Sequence, residues 1–156
     1  MKAKGWLLRG GALFGVSLSV YIIAYIGIEH ERTRRGPWQI AFTSDASGTP
    51  VLAINQPALA IDRVRIIFPG ETLSPDPRVP ILVFDRPRPV PYDVPFGQCV
   101  FMDTTSLPGT VVLKLFGHEI QLMPRVLTVD KKERPWRSEE TLALPGTNRP
   151  GRPVMR

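Results

Sequence analysis

The feature that most constrains the fold of this chain is an uncharged stretch near its N-terminus. Residues 10–28 read GGALFGVSLSVYIIAYIGI without one charged side chain, and the charged segment EHERTRR comes directly after it. As an α-helix, these nineteen residues would rise about 28 Å, close to the thickness of the hydrocarbon core of a bilayer. The stretch therefore predicts a transmembrane helix.

Two alternatives to a permanent anchor are a cleaved signal peptide and the core helix of a soluble fold. A signal peptide has a shorter apolar core and then a small-x-small cleavage site, whereas IAYIGIEH carries large residues at most of those positions. A buried soluble helix is rarely apolar on every side for five turns. We therefore predict an uncleaved anchor over residues 6–28, a short tail over residues 1–5 and a charged connector over residues 29–36.

The orientation of the span depends on the basic residues that flank it. They are nearly equal in number on the two sides: Lys2, Lys4 and Arg9 before the span, and Arg32, Arg34 and Arg35 after it. The positive-inside rule is therefore close to a tie. A very short N-terminal tail is usual for a signal anchor whose N-terminus stays inside while the rest of the chain is exported. We predict an extracytoplasmic C-terminal domain, periplasmic or extracellular.

Small residues recur every four positions within the span, at Gly11, Gly15 and Ser19. Such residues line one stripe of a helix and allow a second helix to approach closely. Glycine is also commoner in membrane helices than in soluble ones, so the same spacing can arise without a partner. The stripe is a candidate contact with another membrane protein or with a second copy of this chain.

Residues 37–137 have the composition and periodicity of β-structure. The chain holds 17 prolines from Pro37 onward, and proline disfavours helix interiors. In PWQIAFTS the side chains of Trp38, Ile40 and Phe42 alternate with polar or small ones, as in a half-buried strand. About 7–8 short strands separated by turn signals predict an antiparallel β-sandwich or small barrel. The GH pair at 117–118 predicts a type II′ hairpin turn.

The C-terminal segment, residues 138–156, differs in composition from the predicted β domain. It is rich in proline, glycine and arginine and offers little apolar surface to bury. Such segments bury too little apolar surface to offset the conformational entropy that a chain loses when it folds. We predict a mostly disordered tail.

The net charge of +6 lies mainly beside the predicted membrane span. Residues 1–35 carry +4 and residues 138–156 carry +1, which leaves +1 on residues 36–137. A nucleic-acid-binding domain concentrates its positive charge on the folded part. The distribution therefore argues against a nucleic-acid partner.

Candidate chemistry centres on one cysteine and one histidine. Cys99 lies in an apolar strand, where a free thiol behaves as a small buried hydrophobe, and His118 lies in the predicted turn. With Met102 and Met123 they offer soft ligands for copper, but a blue-copper site needs a second histidine, and His30 lies at the membrane boundary. No G-x-S-x-G, P-loop, Rossmann or H-E-x-x-H motif occurs. We predict no catalytic residue, metal site or cofactor, and keep these four side chains as a weak alternative.

Together these observations predict a single-pass membrane-anchored protein with one transmembrane helix followed by an all-β domain. We expect its β-sandwich to serve as a binding or scaffold module, for example as an accessory subunit of a membrane complex, rather than as an enzyme. The expected partners are the lipid bilayer and, through the helix, another membrane protein or a second copy. The alternative is a membrane-anchored redox or copper-binding module, or a small enzyme with an unrecognised site.

Overall fold

The computed structural model describes residues 2–73 and 80–146, with side chains from residue 10 onward. The chain divides into two compact units, Met1–Arg34 and Arg35–Arg156. Within the predicted tail, residues 147–156 lie outside the described residues.

The first unit is one long helix, α1 (Lys2–Thr33). Its segment Gly10–Thr33 is the one helix among the described residues that is long and apolar enough to cross a membrane. The helix continues through much of the predicted charged connector, where Arg32 forms an ion pair with Glu29 at 3.2 Å. Helical backbone therefore extends past the apolar stretch, and the predicted single N-terminal helix is confirmed.

The second unit is built from short strands and one 3₁₀ turn at Pro57–Leu59. Eleven strands are present among the described residues: β1 Gln39–Ser44, β2 Pro50–Gln56, β3 Ile61–Ile67, β4 Ile81–Val83, β5 Tyr92–Val94, β6 Gly97–Asp103, β7 Thr110–Leu115, β8 His118–Leu122, β9 Val126–Val129, β10 Lys132–Pro135 and β11 Thr141–Ala143. The all-β domain predicted after the helix is confirmed.

The strands form two sheets. The first has the order β11-β3-β2-β1-β4, and the second is a meander with the order β10-β9-β8-β7-β6-β5. All neighbouring strands are antiparallel except β11, which runs parallel to β3. Apolar side chains from both sheets join in one core, so each sheet buries one face against the other.

The buried face of β1 follows the predicted alternation. Ile40 and Phe42 are buried together with Trp38, while Gln39 is exposed. The indole Nε1 of Trp38 donates to the carbonyl oxygen of Gly109 at 3.0 Å, and its ring lies 5.2 Å from that of Trp136. The two indoles therefore pack against each other at the end of the unit where β1 begins.

The predicted count of 7–8 strands is too low. The strands that the prediction does not include are β5, β10 and β11. Each of the three is only three or four residues long and is next to or includes a proline or a run of charges. A segment this short shows no period-two pattern, so only its pairing with a neighbour identifies it.

The prediction of disorder from residue 138 onward is wrong for residues 138–146. Leu142 of β11 is buried, and backbone pairing to β3 continues beyond the strand, where the N–H of Leu144 donates to Ile67 O at 2.9 Å. The Ser138 hydroxyl donates to Ala60 O at 2.7 Å. The free edge of β3 supplies the hydrogen bonds that make this polar segment a strand.

Candidate functional site

The exposed large apolar side chains of the β unit lie on β4, just before β5 and on β6. Among its described residues, the large hydrophobic side chains that are exposed are Ile81 (63%), Val83 (41%), Val90 (41%) and Phe101 (50%). Ile81 and Val83 lie on β4, Val90 precedes β5, and Phe101 lies on β6, the neighbour of β5. Single exposed apolar residues are ordinary, but a cluster indicates an interaction surface.

The two terminal strands that carry or adjoin these residues, β4 and β5, lie toward the same side of the sandwich. β4 and β5 are the terminal strands of their sheets, and residues 84–91 connect them directly. Phe42, on the strand beside β4, contacts Phe96, in the turn after β5, with ring centroids 5.3 Å apart. We call this side of the sandwich, where β4 and β5 are the terminal strands, the β4–β5 edge.

The backbone of β4 is paired on one side only. Leu82 pairs with Ile40 of β1, and the flanking bonds, Phe42 N to Pro80 O at 3.1 Å and Phe84 N to Trp38 O at 3.2 Å, also run to that side. Because successive residues of a strand face opposite neighbours, the N–H and C=O groups of Ile81 and Val83 face away from β1. In the part of the chain that the structure describes, no strand pairs there.

The other three edge strands carry features that discourage further pairing. β10 presents the exposed run Lys132–Pro135, β5 lies between Pro91 and Pro95, and β11 lies between Glu140 and Pro145. Charges and prolines are the usual means by which proteins protect a free edge. β4 consists wholly of large apolar residues, so it is the edge best suited to accept a strand.

The three small residues of the helix lie on α1, and their role in helix packing stays a prediction. A Cβ atom placed on Gly11 or Gly15 would meet no atom within 4 Å, so the stripe is open. The hydroxyl of Ser19 donates to the carbonyl oxygen of Gly15 at 2.9 Å. That donor is used within its own helix.

Cys99 lies in the core on β6, with no exposed surface. Its thiol donates to the carbonyl oxygen of Phe101 at 3.5 Å, and burial raises its pKa. A thiol with a raised pKa is a poor nucleophile and a poor metal ligand at neutral pH. Strand β7 lies between Cys99 and His118, which separates their backbones by about 10 Å, so the structure does not bring this pair together.

The two methionines are also apart. The sulfur of Met102 accepts a hydrogen bond from the Tyr92 hydroxyl at 3.8 Å. Met123 follows the far end of β8, where its carbonyl oxygen accepts from Trp136 Nε1 at 2.8 Å. Five residues of extended chain separate it from His118, or about 17 Å. The four soft ligands therefore do not converge, and no group of three or more His, Cys, Asp or Glu among the described residues could hold a metal ion.

His118 is not in a turn. The two-residue turn is Phe116–Gly117, with φ of 50° and 87°, and positive φ at both positions makes it type I′ rather than the predicted type II′. His118 is the first residue of β8, pairs with Leu115 and is 5% exposed. The prediction that His118 lies in the turn is wrong because the turn lies one residue earlier.

Both ring nitrogens of His118 contact oxygen acceptors. Nδ1 lies 2.6 Å from Asp130 Oδ2, and Nε2 lies 3.1 Å from the carbonyl oxygen of Pro145. Partial burial opposes ionisation of Asp130, but the hydrogen bonds from His118 and from the Glu119 N–H outweigh it and lower the pKa of the carboxyl. The imidazole thus ties the β9–β10 turn to the segment after β11.

Comparison with protein-family models, with curated proteins and with solved structures found no match to this chain. The function must therefore be inferred from three features of the molecule. They are the helix, the β4–β5 edge and the end of the second sheet where His118 contacts Asp130 and Pro145.

Proposed function

We propose that this chain is a single-pass membrane protein that binds an extended apolar strand of a partner protein along the β4–β5 edge. The observation that carries the proposal is that β4, a terminal strand with one unpaired side among the described residues, exposes the large hydrophobic side chains of Ile81 and Val83. The partner would be another component of a membrane complex, for which this chain is an accessory or scaffold subunit.

Membrane anchoring by α1 is supported by its surface. Apolar side chains on all sides of the helix are exposed, among them Leu13 and Phe14 at 71% each. None of the apolar window is buried. Water is a poor environment for so much apolar surface, whereas a bilayer satisfies it and leaves no backbone group unpaired.

We propose that the β unit is extracytoplasmic, and this part of the proposal has its own test. Cys99 is buried and is the only native cysteine, which keeps the background of thiol labelling low. A cysteine placed at the exposed Ser47 should react with a membrane-impermeant maleimide in intact cells. Labelling only after the cells are opened would reverse the proposed orientation.

Strand addition at the β4–β5 edge is supported by the backbone of β4. The outward N–H and C=O groups of Ile81 and Val83 offer a short antiparallel ladder, with each hydrogen bond contributing about 1 kcal/mol net. The side chains of Ile81 and Val83 add apolar contact on the same strand. Such a ladder supplies affinity while the side chains select the partner strand.

The proposal is tested by photo-crosslinking with the full chain in its native membrane. A photoreactive phenylalanine analogue at Val83 should give one adduct of defined mass, and the same analogue at Lys132, on the charged edge strand β10, is the matched control. Combining Ile81→Lys with the analogue at Val83 should remove most of the adduct. Equal adducts from both positions, or an adduct of twice the mass of this chain, would overturn the proposal of a different protein as partner.

A contact through α1 is a second part of the proposed assembly. The open stripe at Gly11 and Gly15 fits a helix of the same complex. Gly15→Ile should then reduce recovery of the photo-crosslinked partner, whereas Val16→Ile, on a neighbouring face, should leave it unchanged.

A further inference from the structure

Three tight turns meet at the end of the second sheet that lies opposite Trp38. They are Pro95–Phe96 between β5 and β6, Phe116–Gly117 between β7 and β8, and Asp130–Lys131 between β9 and β10. In a meander these turns necessarily fall at the same end. Together with the adjoining strand ends they enclose an open cleft of about 720 Å³, within the size range of ligand sites.

The turns around the cleft adopt an uncommon backbone. Phe96, Phe116, Asp130 and Lys131 have φ of 75°, 50°, 49° and 67°, and bulky residues other than glycine rarely occupy the left-handed region. Such conformations persist only where the surroundings fix them, and they cluster at functional sites. Here the surroundings are the core on one side and the His118–Asp130 contact on the other.

One wall of the cleft is aromatic. The rings of Phe96 and Phe116 lie 5.6 Å apart. Phe96 packs on Phe42 at 5.3 Å, and Phe116 packs on Phe68 at 5.0 Å. Both rings are only partly buried, so they connect the core to the cleft and leave apolar surface for a ligand.

The remaining residues that line the cleft are polar. Their charged groups differ in whether they form an ion pair with another residue. Gln98, Lys114 and Glu119 form a cross-strand row over β6, β7 and β8, and Lys131 also lines the cleft. The carboxylate of Asp130 is already held by His118 and by the N–H of Glu119. Within the described residues, neither Lys114 nor Lys131 has an ion pair within 4.0 Å.

We propose that the cleft binds the C-terminal end of a peptide chain whose last residue is apolar. The ammonium groups of Lys114 and Lys131 would pair with the terminal carboxylate, and the Phe96–Phe116 wall would contact the last side chain. The carboxylate of Glu119 would accept from a peptide N–H. Two lining carboxylates disfavour a phosphate dianion by repulsion, which is why a monoanion beside amide groups is the better complement. This site depends neither on the helix nor on the β4–β5 edge.

The test uses the full chain in detergent micelles and a hexapeptide, Gly-Ser-Gly-Leu-Val-Phe, labelled with a fluorophore at its N-terminus. Anisotropy should show saturable binding of the free acid, while the C-terminal amide of the same peptide binds about tenfold more weakly, a loss of about 1.4 kcal/mol. Lys114→Gln and Lys131→Gln should each weaken binding of the acid by a factor of about three to ten. Lys132→Gln, on the next residue but outside the cleft, is the matched control and should change nothing.

Two further measurements test whether the lysine variants fold and whether the cleft prefers phosphate. An unchanged unfolding temperature of the lysine variants shows that they fold, since both side chains are at the surface. Inorganic phosphate should displace the peptide no better than acetate at the same ionic strength. Equal affinity for acid and amide, no binding of either, insensitivity to both lysines, or stronger displacement by phosphate would each overturn the proposal.

Discussion

The imidazole of His118 and the carboxylate of Asp130 lie 2.6 Å apart, Nδ1 to Oδ2, and join the start of β8 to the turn between β9 and β10. The same ring reaches the carbonyl oxygen of Pro145 at 3.1 Å. One buried side chain therefore connects three segments that are distant in sequence, beside the proposed peptide cleft.

Replacing His118 by alanine should lower the free energy of unfolding by about 2–3 kcal/mol, because the buried imidazole loses its packing and both of its hydrogen bonds. The full chain in detergent, unfolded with urea and followed by tryptophan fluorescence, gives the value. Glu133→Ala, on the exposed strand β10, is the control and should stay within about 0.5 kcal/mol of the parent. An equally small effect at His118 would show that the contact is not structural.

The lowered pKa of Asp130 predicts a loss of stability in acid. A carboxyl whose pKa is lower in the folded state stabilises the fold above its ordinary value of 3.8, and this contribution disappears as the pH falls through the folded value. Asp103, whose pKa is lowered mainly by the Thr105 N–H, acts in the same direction. Urea midpoints should be level from about pH 6 to 5 and then fall below about pH 4.

Asp130→Asn provides the check on that assignment. Above pH 5 it should be less stable than the parent, and the difference should shrink toward zero as the parent carboxyl becomes protonated in acid. A difference that stays constant from pH 6 to pH 2 would mean that ionisation of Asp130 is not responsible.

Gly97 should tolerate no side chain. A Cβ atom there would overlap the carbonyl oxygen of Lys114 on the neighbouring strand, so β6 and β7 would have to separate. Gly97→Ala should cost at least about 2 kcal/mol and should also weaken peptide binding in the cleft that this glycine lines. Gly146→Ala, where the new atom would lie an ordinary 3.8 Å from Glu71 Oε1, should cost much less when the two variants are compared by thermal unfolding.

β11 should contribute to stability despite its position in a polar segment. Leu142 is 8% exposed, and Leu142→Ala should lower the free energy of unfolding by about 2 kcal/mol or more. Thr141→Ala changes an exposed residue of the same strand and should be nearly neutral. If the two substitutions had the same small effect in urea unfolding, the parallel pairing of β11 with β3 would be in doubt.

Local patterns are sufficient to predict the helix and the main strands. The uncharged run over residues 10–28 and the alternation of Trp38, Ile40 and Phe42 depend on neighbours in sequence, so the sequence displays them directly. β11 depends on the free edge of β3, some 75 residues earlier. No periodicity records such a pairing.

The sites are harder to predict for the same reason. The pattern puts His118 in a turn because a type I′ turn at Phe116–Gly117 has no glycine at its first position to announce it. The partners of His118, Asp130 and Pro145, lie 12 and 27 residues away. The cleft assembles from three turns, and the β4–β5 edge emerges only once the order of strands is known. One local feature of the sequence points to the cleft. It is the polar pair Asp130–Lys131 between two strands, which forms a tight turn with positive φ at both residues.

The most direct test of the proposed anchoring is whether α1 stays in the membrane in the mature protein. After cell breakage without detergent and an alkaline carbonate wash, the chain should remain in the membrane pellet, and its intact mass should still include residues 10–28. Release of the β unit into the supernatant, or a mature N-terminus beyond residue 28, would contradict it.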